Sequence, residues 1–483
     1  MASLLHLSAF DLAHRIRRGD LRPEAVVEAH IRRLQRVDPA LNALVSERFE
    51  AARAEAAAAG ERVRAAHADD PLPPLLGVPC TVKEFLATEG LPWTAGVPAR
   101  RGRVAERDAT AVARLKAAGA IILGQTNMAE GGLWMEARNP VYGAVNNPWD
   151  PARTAGGSSG GCGALVASGA VPFSLGADIG GSIRIPAAFC GTVGHKPSGR
   201  MVPTTGHWPQ PDGDARALLC LGPLARHARD LLPLLRLLAG PDGEDPIVRS
   251  YDLADRPLDV RGLTVYPAED HLGVAVWPAA RRAVRRAARA LERLGARVRP
   301  ASELSLGNGV LPWSAALMVP GGTRYVDLLG DGEPIPWVRE ILARAVGRSR
   351  HSGVPLAVCL LEAVLGGLPA DRPRALARLA SQRAELEARL GPAGVILHPP
   401  WSRPAPRHRA ALLTPFDFAC TALFNALELP GTVVPVGFER RGLPVAVQIV
   451  GPRGSDALTI AVAGLLEREL GGWVMADPRD PAR

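Results

Sequence analysis

Lysine is nearly absent from this chain. Of 57 basic residues in a sequence of 483, three are lysine, at positions 83, 116 and 196. Arginine keeps its proton in a protein, whereas a buried lysine can lose it. Lys83, Lys116 and Lys196 are therefore the short list for an amine that acts as a base. Polybasic blocks are missing too. The net charge of +9 is spread over isolated residues and short pairs such as Arg100–Arg101, Arg281–Arg282 and Arg285–Arg286, without interleaved aromatics. That pattern fits a solvated basic surface and gives no footprint for nucleic acid. The six cysteines, at 80, 162, 190, 220, 359 and 420, form no C-x-x-C pair and have no metal-ligand spacing with histidine. No metal is expected, and reduced thiols in a cytoplasmic protein are. The first short apolar stretch lacks a basic segment before it, and no apolar run reaches the ~18–20 residues of a spanning helix. Neither a signal peptide nor a transmembrane segment is expected, and no repeat of solenoid period is visible.

What is present is an α/β pattern with 47% hydrophobic and 22% charged residues, enough for a large core. Ser8 followed by Asp11 reads as a capping box, and Leu12, Ile16, Val26, Val27, Ile31 and Leu34 recur at helical spacing. Pro23 suits the first turn of a second helix. A Pro-rich connector, "DDPLPPLLGVP", leads to Lys83. A helix is expected over 109–118 and strands over 120–124, 170–177 and 262–267. Residues 273–299 read as one unit: "GVAVW" as strand, Pro278 opening an amphipathic helix that ends at Gly295, and "ARVRP" as the next strand. Residues 303–390 hold turn clusters and helical patterns, the mark of an insertion. Strands return with "GVILHPP", "GTVVPVGF" and "LPVAVQIVG", and a helix follows from about Asp456. Such alternation implies a mostly parallel or mixed sheet.

Two serine-bearing stretches carry the chemistry. Gly156-Gly157-Ser158-Ser159-Gly160 satisfies G-x-S-x-G, the nucleophile-elbow pattern, but that pattern needs a strand immediately before it. Here "NNPWDPARTA" precedes it and reads as a loop. The second stretch, "VPFSLGADIGGSIRIPAAF", is strand-like up to Asp178 and then turns sharply. Its two glycines allow successive backbone N–H groups to point into one concavity, which suits an oxyanion beside a serine. A plain strand-to-helix turn accounts for the same residues equally well.

The order "GVPCTVKEF", "GGSSGG", "DIGGSIRIPAAFCG" resembles the amidase signature family, whose two serines share the 24-residue spacing of Ser158 and Ser182 here. Further family marks are "GAIILGQTNMAE", "NPVYGAVNNPWDP", "GHKPS", "FNALELPGTVVPVG" and "GLPVAVQIVGP". The likeness runs from about residue 8 to 470 and is weakest over 300–390. Within the family, Ile179 and the stretch "GHWPQPDGDARALLCLGPLARHARDL" are similar to the fatty acid amide hydrolase branch, type 2-like. The transamidosome glutaminase branch usually carries Thr at the position of Ile179.

The resemblance implies one α/β domain over 1–483, a twisted mixed β-sheet of ten or more strands with helices on both faces. Its core would be about 8–300 and 391–470, with a variable helical insertion over 303–390. It implies Ser182 as nucleophile, Lys83 as base and Ser158 as the bridge between them, usually after a cis peptide from Gly157. Ile179, Gly180, Gly181 and Ser182 would supply oxyanion N–H groups, and Gly132, Leu133 and Trp134 would line the acyl pocket. Physically, a lysine serves as a base only if burial lowers its pKa several units from ~10.4. Asp178 and Arg184 flank Ser182 and are expected to pair, and Ser159 to bond the loop backbone. Lys116 reads as a solvated helix residue and Lys196 as structural. His195 reads as structural rather than as part of a triad with Asp178. The implied activity is hydrolysis of carboxylic amides with hydrophobic acyl or aryl groups through an acyl-enzyme, without cofactor. A small-molecule amide is the expected partner, and a homodimer is compatible. The alternatives are a glutaminase subunit of a tRNA-dependent amidotransferase, a small primary-amide amidase, or a non-catalytic binding protein.

Overall fold

A strand covered on both faces need not alternate polar with apolar residues, and the central strands of this sheet are buried along nearly their whole length. The computed structural model describes residues 4–67, 70–255, 257–319, 321–365 and 372–478. On the first half of the chain lie strands β1 (Leu44–Glu47), β2 (Pro79–Lys83) and β3 (Ile121–Thr126), a small hairpin β4 (Arg138–Asn139) and β5 (Gly143–Ala144), then β6 (Phe173–Asp178), β7 (Val193–Lys196) and β8 (Cys220–Ala225). The second half adds β9 (Thr264–Pro267), β10 (Arg297–Val298), β11 (Gly394–His398), β12 (Gly431–Phe438) and β13 (Pro444–Val450). All but the hairpin join one eleven-stranded sheet in the order β1-β3-β2-β6-β8-β7-β12-β13-β11-β9-β10. The sheet is mixed: β2 runs parallel to β3 and β6, whereas β6 and β8 are antiparallel.

Helices cover both faces. They are α1 (Ala9–Arg17), α2 (Pro23–Leu41), α3 (Phe49–Ala65), α4 (Thr110–Ala117), α5 (Gly160–Ala167), α6 (Arg184–Cys190), α7 (Leu231–Leu238) and α8 (Pro278–Arg293). After them come α9 (Val310–Leu317), α10 (Tyr325–Leu328), α11 (Trp337–Ala345), α12 (Gly353–Leu365), α13 (Arg372–Leu390), α14 (Ala419–Ala426) and α15 (Asp456–Leu470). One core packs α1, α4, α7, α8 and α15 on the sheet, and a second packs α2, α3, α5 and α6. Strand alternation assigns neighbours to opposite cores, Ile122 to the first and Ile121 and Leu123 to the second. The described part of 303–390 is helical and adds no strand to the sheet. Two apolar stretches of this segment that would suit the lining of a pocket, "VLPWSAALMVP" and "GVPLAVCLLEAVLGG", and the turn cluster "GLPADRP" lie partly outside the described residues.

Two expectations need correction. Residues 273–277 form no strand; His271 and Val274 make an isolated bridge and the chain then runs as loop to Pro278. The place beside β10 is taken by β9, whose Val265 and Tyr266 are buried, while Gly273, Ala275 and Trp277 are exposed. The β-α-β unit exists as β9-α8-β10, with its first strand about ten residues upstream of "GVAVW". The capping box is half formed. Ser8 Oγ accepts from the Asp11 amide at 3.1 Å, but the Asp11 carboxylate pairs with Arg229.

Candidate active site

Because β2 and β6 are adjacent and parallel, their C-terminal ends open on the same edge of the sheet. Lys83 ends β2 and Asp178 ends β6, which brings the two chemistry-bearing stretches together at a place where α/β proteins bind ligands. The strand–turn–helix that the G-x-S-x-G pattern lacks occurs at the other serine: β6, the turn 179–183, then α6. Ser158 lies in a loop that leads into α5.

Lys83 is fully buried, and its Nζ donates to Ser158 Oγ at 2.6 Å. It also stands 3.9 Å from the centre of the Phe85 ring, which His207 packs from 4.0 Å. Burial among such groups brings the Lys83 pKa down to about 7, against the weaker upward pull of Cys162 and Asp178. A large fraction of the amine is therefore neutral near pH 7. Ser158 follows a cis peptide from Gly157. A side chain at Gly157 would strike the Trp134 carbonyl and the Glu136 amide, both 2.6 Å from its Cβ. The second serine loop is tied to the first by the Ser159 amide, which donates to the Ser182 carbonyl at 3.2 Å. Exposure rises from Lys83 at 0% through Ser158 at 2% to Ser182 at 8%, so the lysine is sealed and Ser182 is the most exposed of the three.

The turn is held from beneath by one buried ion pair. Asp178 and Arg184 are both fully buried and 3.0 Å apart. The Asp178 carboxylate also accepts from the amides of Gly181, Ile183 and Arg184 and from Asn425 Nδ2. Burial alone would raise its pKa; Arg184 overrides this and holds it well below the usual carboxylate range. Arg184 reaches further, to Gln448 Oε1 at 3.1 Å and to Asn425 Oδ1. From above, Trp313 Nε1 donates to the Ile179 carbonyl and Thr421 Oγ1 to the Gly180 carbonyl, each at 2.6 Å. Among the described residues, no acceptor engages the amides of Ile179, Gly180 and Ser182. The Gly181 amide differs, because it donates to Asp178 at 2.7 Å.

The structure thus gathers Lys83, Ser158, Ser159, Asp178, Ile179, Gly180, Gly181, Ser182 and Arg184 at one sheet edge. Ser159 Oγ donates to the Ala177 carbonyl at 3.2 Å. Gly132, Leu133 and Trp134 lie half-buried on the loop above Gly157, and Leu133 packs with Val97 and Tyr325. The remaining lysines stand apart: Lys116 pairs with Asp108 at 2.7 Å, and buried Lys196 donates to the Pro197 carbonyl. His195 is bonded to Thr432 and Asp456, not to Asp178. Trp313, Thr421, Asn425 and Gln448 were not singled out from the sequence. Asn425 lies inside the family mark "FNALELPGTVVPVG" and Gln448 inside "GLPVAVQIVGP"; Trp313 and Thr421 lie in neither.

The family model described as Amidase matches residues 25–460. Fatty-acid amide hydrolase 2-A of Danio rerio is 38% identical over 97% of this chain and 90% of its own length. Fatty-acid amide hydrolase 2 of Homo sapiens is 37% identical over 98% of this chain and 90% of the human protein. A solved amidase structure superposes with a TM-score of 0.78 at 31% identity, covering 96% of this chain and 100% of that one. The chain belongs to the amidase signature family and is an amide hydrolase.

Proposed function

We propose that Ser182 is the nucleophile of this hydrolase, Ser158 its proton bridge and Lys83 its base. The observation that carries this reading is the 2.6 Å contact between Ser158 and a buried lysine whose pKa is near 7. Ser182 Oγ attacks the amide carbon and gives its proton to Ser158, whose own proton passes to neutral Lys83. The oxyanion is received by the amides of Ile179, Gly180 and Ser182, the three in the turn that no acceptor engages among the described residues. Lys83, now charged, returns its proton through Ser158 to the amine as the C–N bond breaks. Water then repeats the sequence on the acyl-enzyme and frees Ser182.

The substrates we infer are amides with hydrophobic acyl or aryl groups. Support comes from the apolar side chains around the serines, Trp313 against Gly180 and Leu133 among Val97 and Tyr325. It also comes from the fatty-acid amide hydrolases among the relatives. Six free, buried cysteines favour a reducing, cytoplasmic setting. No described helix is long and apolar enough to cross a membrane. The catalytic assignment is tested by a fluorophosphonate probe followed by mass spectrometry. The adduct is expected on Ser182 and its absence in Ser182→Ala; an adduct on Ser158 in the wild-type protein would overturn the assignment.

A further inference from the structure

Three side chains distant in sequence meet behind the reaction centre: His271 in the turn before α8, His398 at the end of β11, and Cys420 in the first turn of α14. One donor atom from each lies within 4.8 Å of the other two, and all three residues are buried. The imidazoles stand edge to face at 88°, with His271 Nδ1 3.2 Å from His398 Nε2. His398 Nδ1 lies 2.8 Å from the Pro399 carbonyl and 3.2 Å from Gln448 Nε2, whose two hydrogens go to the Pro399 and Cys420 carbonyls, so the ring proton sits on Nδ1 and the Nε2 lone pair faces His271. His271 is 6% exposed, yet its Nε2 has no partner among the described residues. That nitrogen can carry the ring proton, which leaves the His271 Nδ1 lone pair turned toward His398.

We propose that His271, His398 and Cys420 bind a d10 transition-metal ion of the zinc type. The donor set is two imidazole nitrogens and one sulfur with no carboxylate, which suits zinc and disfavours magnesium and calcium. The 3.2 Å between the two nitrogens is close to a tetrahedral edge of about 3.4 Å for metal–nitrogen bonds of about 2.0–2.1 Å. Burial holds both rings in the neutral, ligating form, His271 down to about 4 and His398 down to about 3. Burial also pushes the Cys420 thiol up, so the thiol proton leaves to solvent as the metal enters and the S–metal bond forms. Three protein donors leave the fourth tetrahedral position to a water.

Such an ion joins the turn at 271, β11 and α14 behind the serine turn. The next residue of α14, Thr421, holds the Gly180 carbonyl. Gln448 donates to the Cys420 carbonyl at 2.6 Å and accepts from Arg184. Occupancy therefore stiffens the wall against which Ile179–Ser182 is set.

The test uses the full-length protein, freed of metal with a chelator and titrated with Zn2+ against a chromophoric competitor. One equivalent of Zn2+ is expected to bind and to raise Tm. Co2+ in its place is expected to give tetrahedral d–d bands with a thiolate-to-metal charge-transfer band. Cys420→Ser should abolish that band, and Cys420→Ser or His271→Ala should weaken Zn2+ binding by at least about 10–100-fold. Circular dichroism checks the fold of each variant, and if one misfolds the other decides. If both misfold, the wild-type cobalt spectrum decides. No Zn2+ equivalent, a cobalt spectrum without the sulfur band, or unchanged binding in the folded variants would overturn the site.

Discussion

Beneath Ser182 the buried ion pair is fully bonded: Arg184 bonds Asp178, Gln448 and Asn425, and the Asp178 carboxylate fastens three backbone amides of the serine turn. The helices between 310 and 365 are built the other way. Leu311 is 80% exposed, Leu342 67%, Val346 69% and Val364 63%, and the contacts that do join this region to the site are mostly apolar. On the function proposed above, the contrast separates two tasks. Where a reacting atom must be aimed, side-chain identity is dictated by hydrogen-bond geometry. Where a substrate tail must be covered, being apolar and of suitable size is enough.

Four perturbations bear on that contrast. The largest effect is expected inside the junction, from Lys83→Arg, which keeps the charge but removes a base that can be neutral. It should lower kcat by about 10²–10⁴-fold with the circular dichroism unchanged; near-normal turnover would mean the junction does not work through an amine. Next is Arg184→Met, which leaves Asp178 buried without its partner. Thermal or denaturant unfolding should show a loss of about 3–5 kcal/mol, whereas a stability within the scatter of surface mutants would show that the pair is not what fixes the turn.

Trp313→Phe probes the one hydrogen bond among the described residues by which the helical cover reaches the turn, to the Ile179 carbonyl. Trp313 acts here as a positioning residue. Losing one such bond is worth about 1 kcal/mol, so kcat should fall several-fold with KM for a short amide little changed. A change confined to KM would assign Trp313 to substrate contact alone. The smallest step is on the substrate side: each CH₂ added to the acyl group should improve kcat/KM by up to about 0.8 kcal/mol until the covered surface ends. A flat or falling series would leave the junction intact and remove the acyl-binding task from the cover.

Much of the junction was legible in the sequence because its residues are local in the chain. A Gly-Gly-Ser after an apolar strand, an Asp four residues before a Ser, and a lysine in an arginine-rich chain can all be read within short windows. The alternation of apolar runs with helical patterns indicated a mixed sheet, but not the order of its strands. "GVAVW" misled because a β-branched, apolar pentapeptide has the composition of a strand, yet the sheet position it would need is filled by Thr264–Pro267. Trp313 and Thr421 were silent because each acts across more than a hundred residues of chain on a backbone carbonyl, and the mark that holds Gln448 does not show that it reaches Arg184. The Gly181 amide was assigned to the oxyanion hole on the same local pattern; only its bond to Asp178 distinguishes it from its neighbours. His271, His398 and Cys420 likewise have no spacing that a motif could show.

The proton state of Lys83 is the point on which the chemistry turns. Its ordinary pKa is 10.5, and burial brings it to about 7 in the folded chain. The unfolded chain therefore binds more protons between those values, so burial of this amine costs stability below about pH 7 and that cost fades as pH rises toward 10.5. Reactivity follows the neutral amine. The most direct measurement is the rate at which a fluorophosphonate labels Ser182, followed from pH 5 to 9 in wild-type protein and in Lys83→Met. The wild-type rate should rise about tenfold per pH unit below about 7 and level off above it, while the variant should be slow and flat. A wild-type profile without that break, or a variant that keeps it, would contradict the assignment of Lys83 as the base.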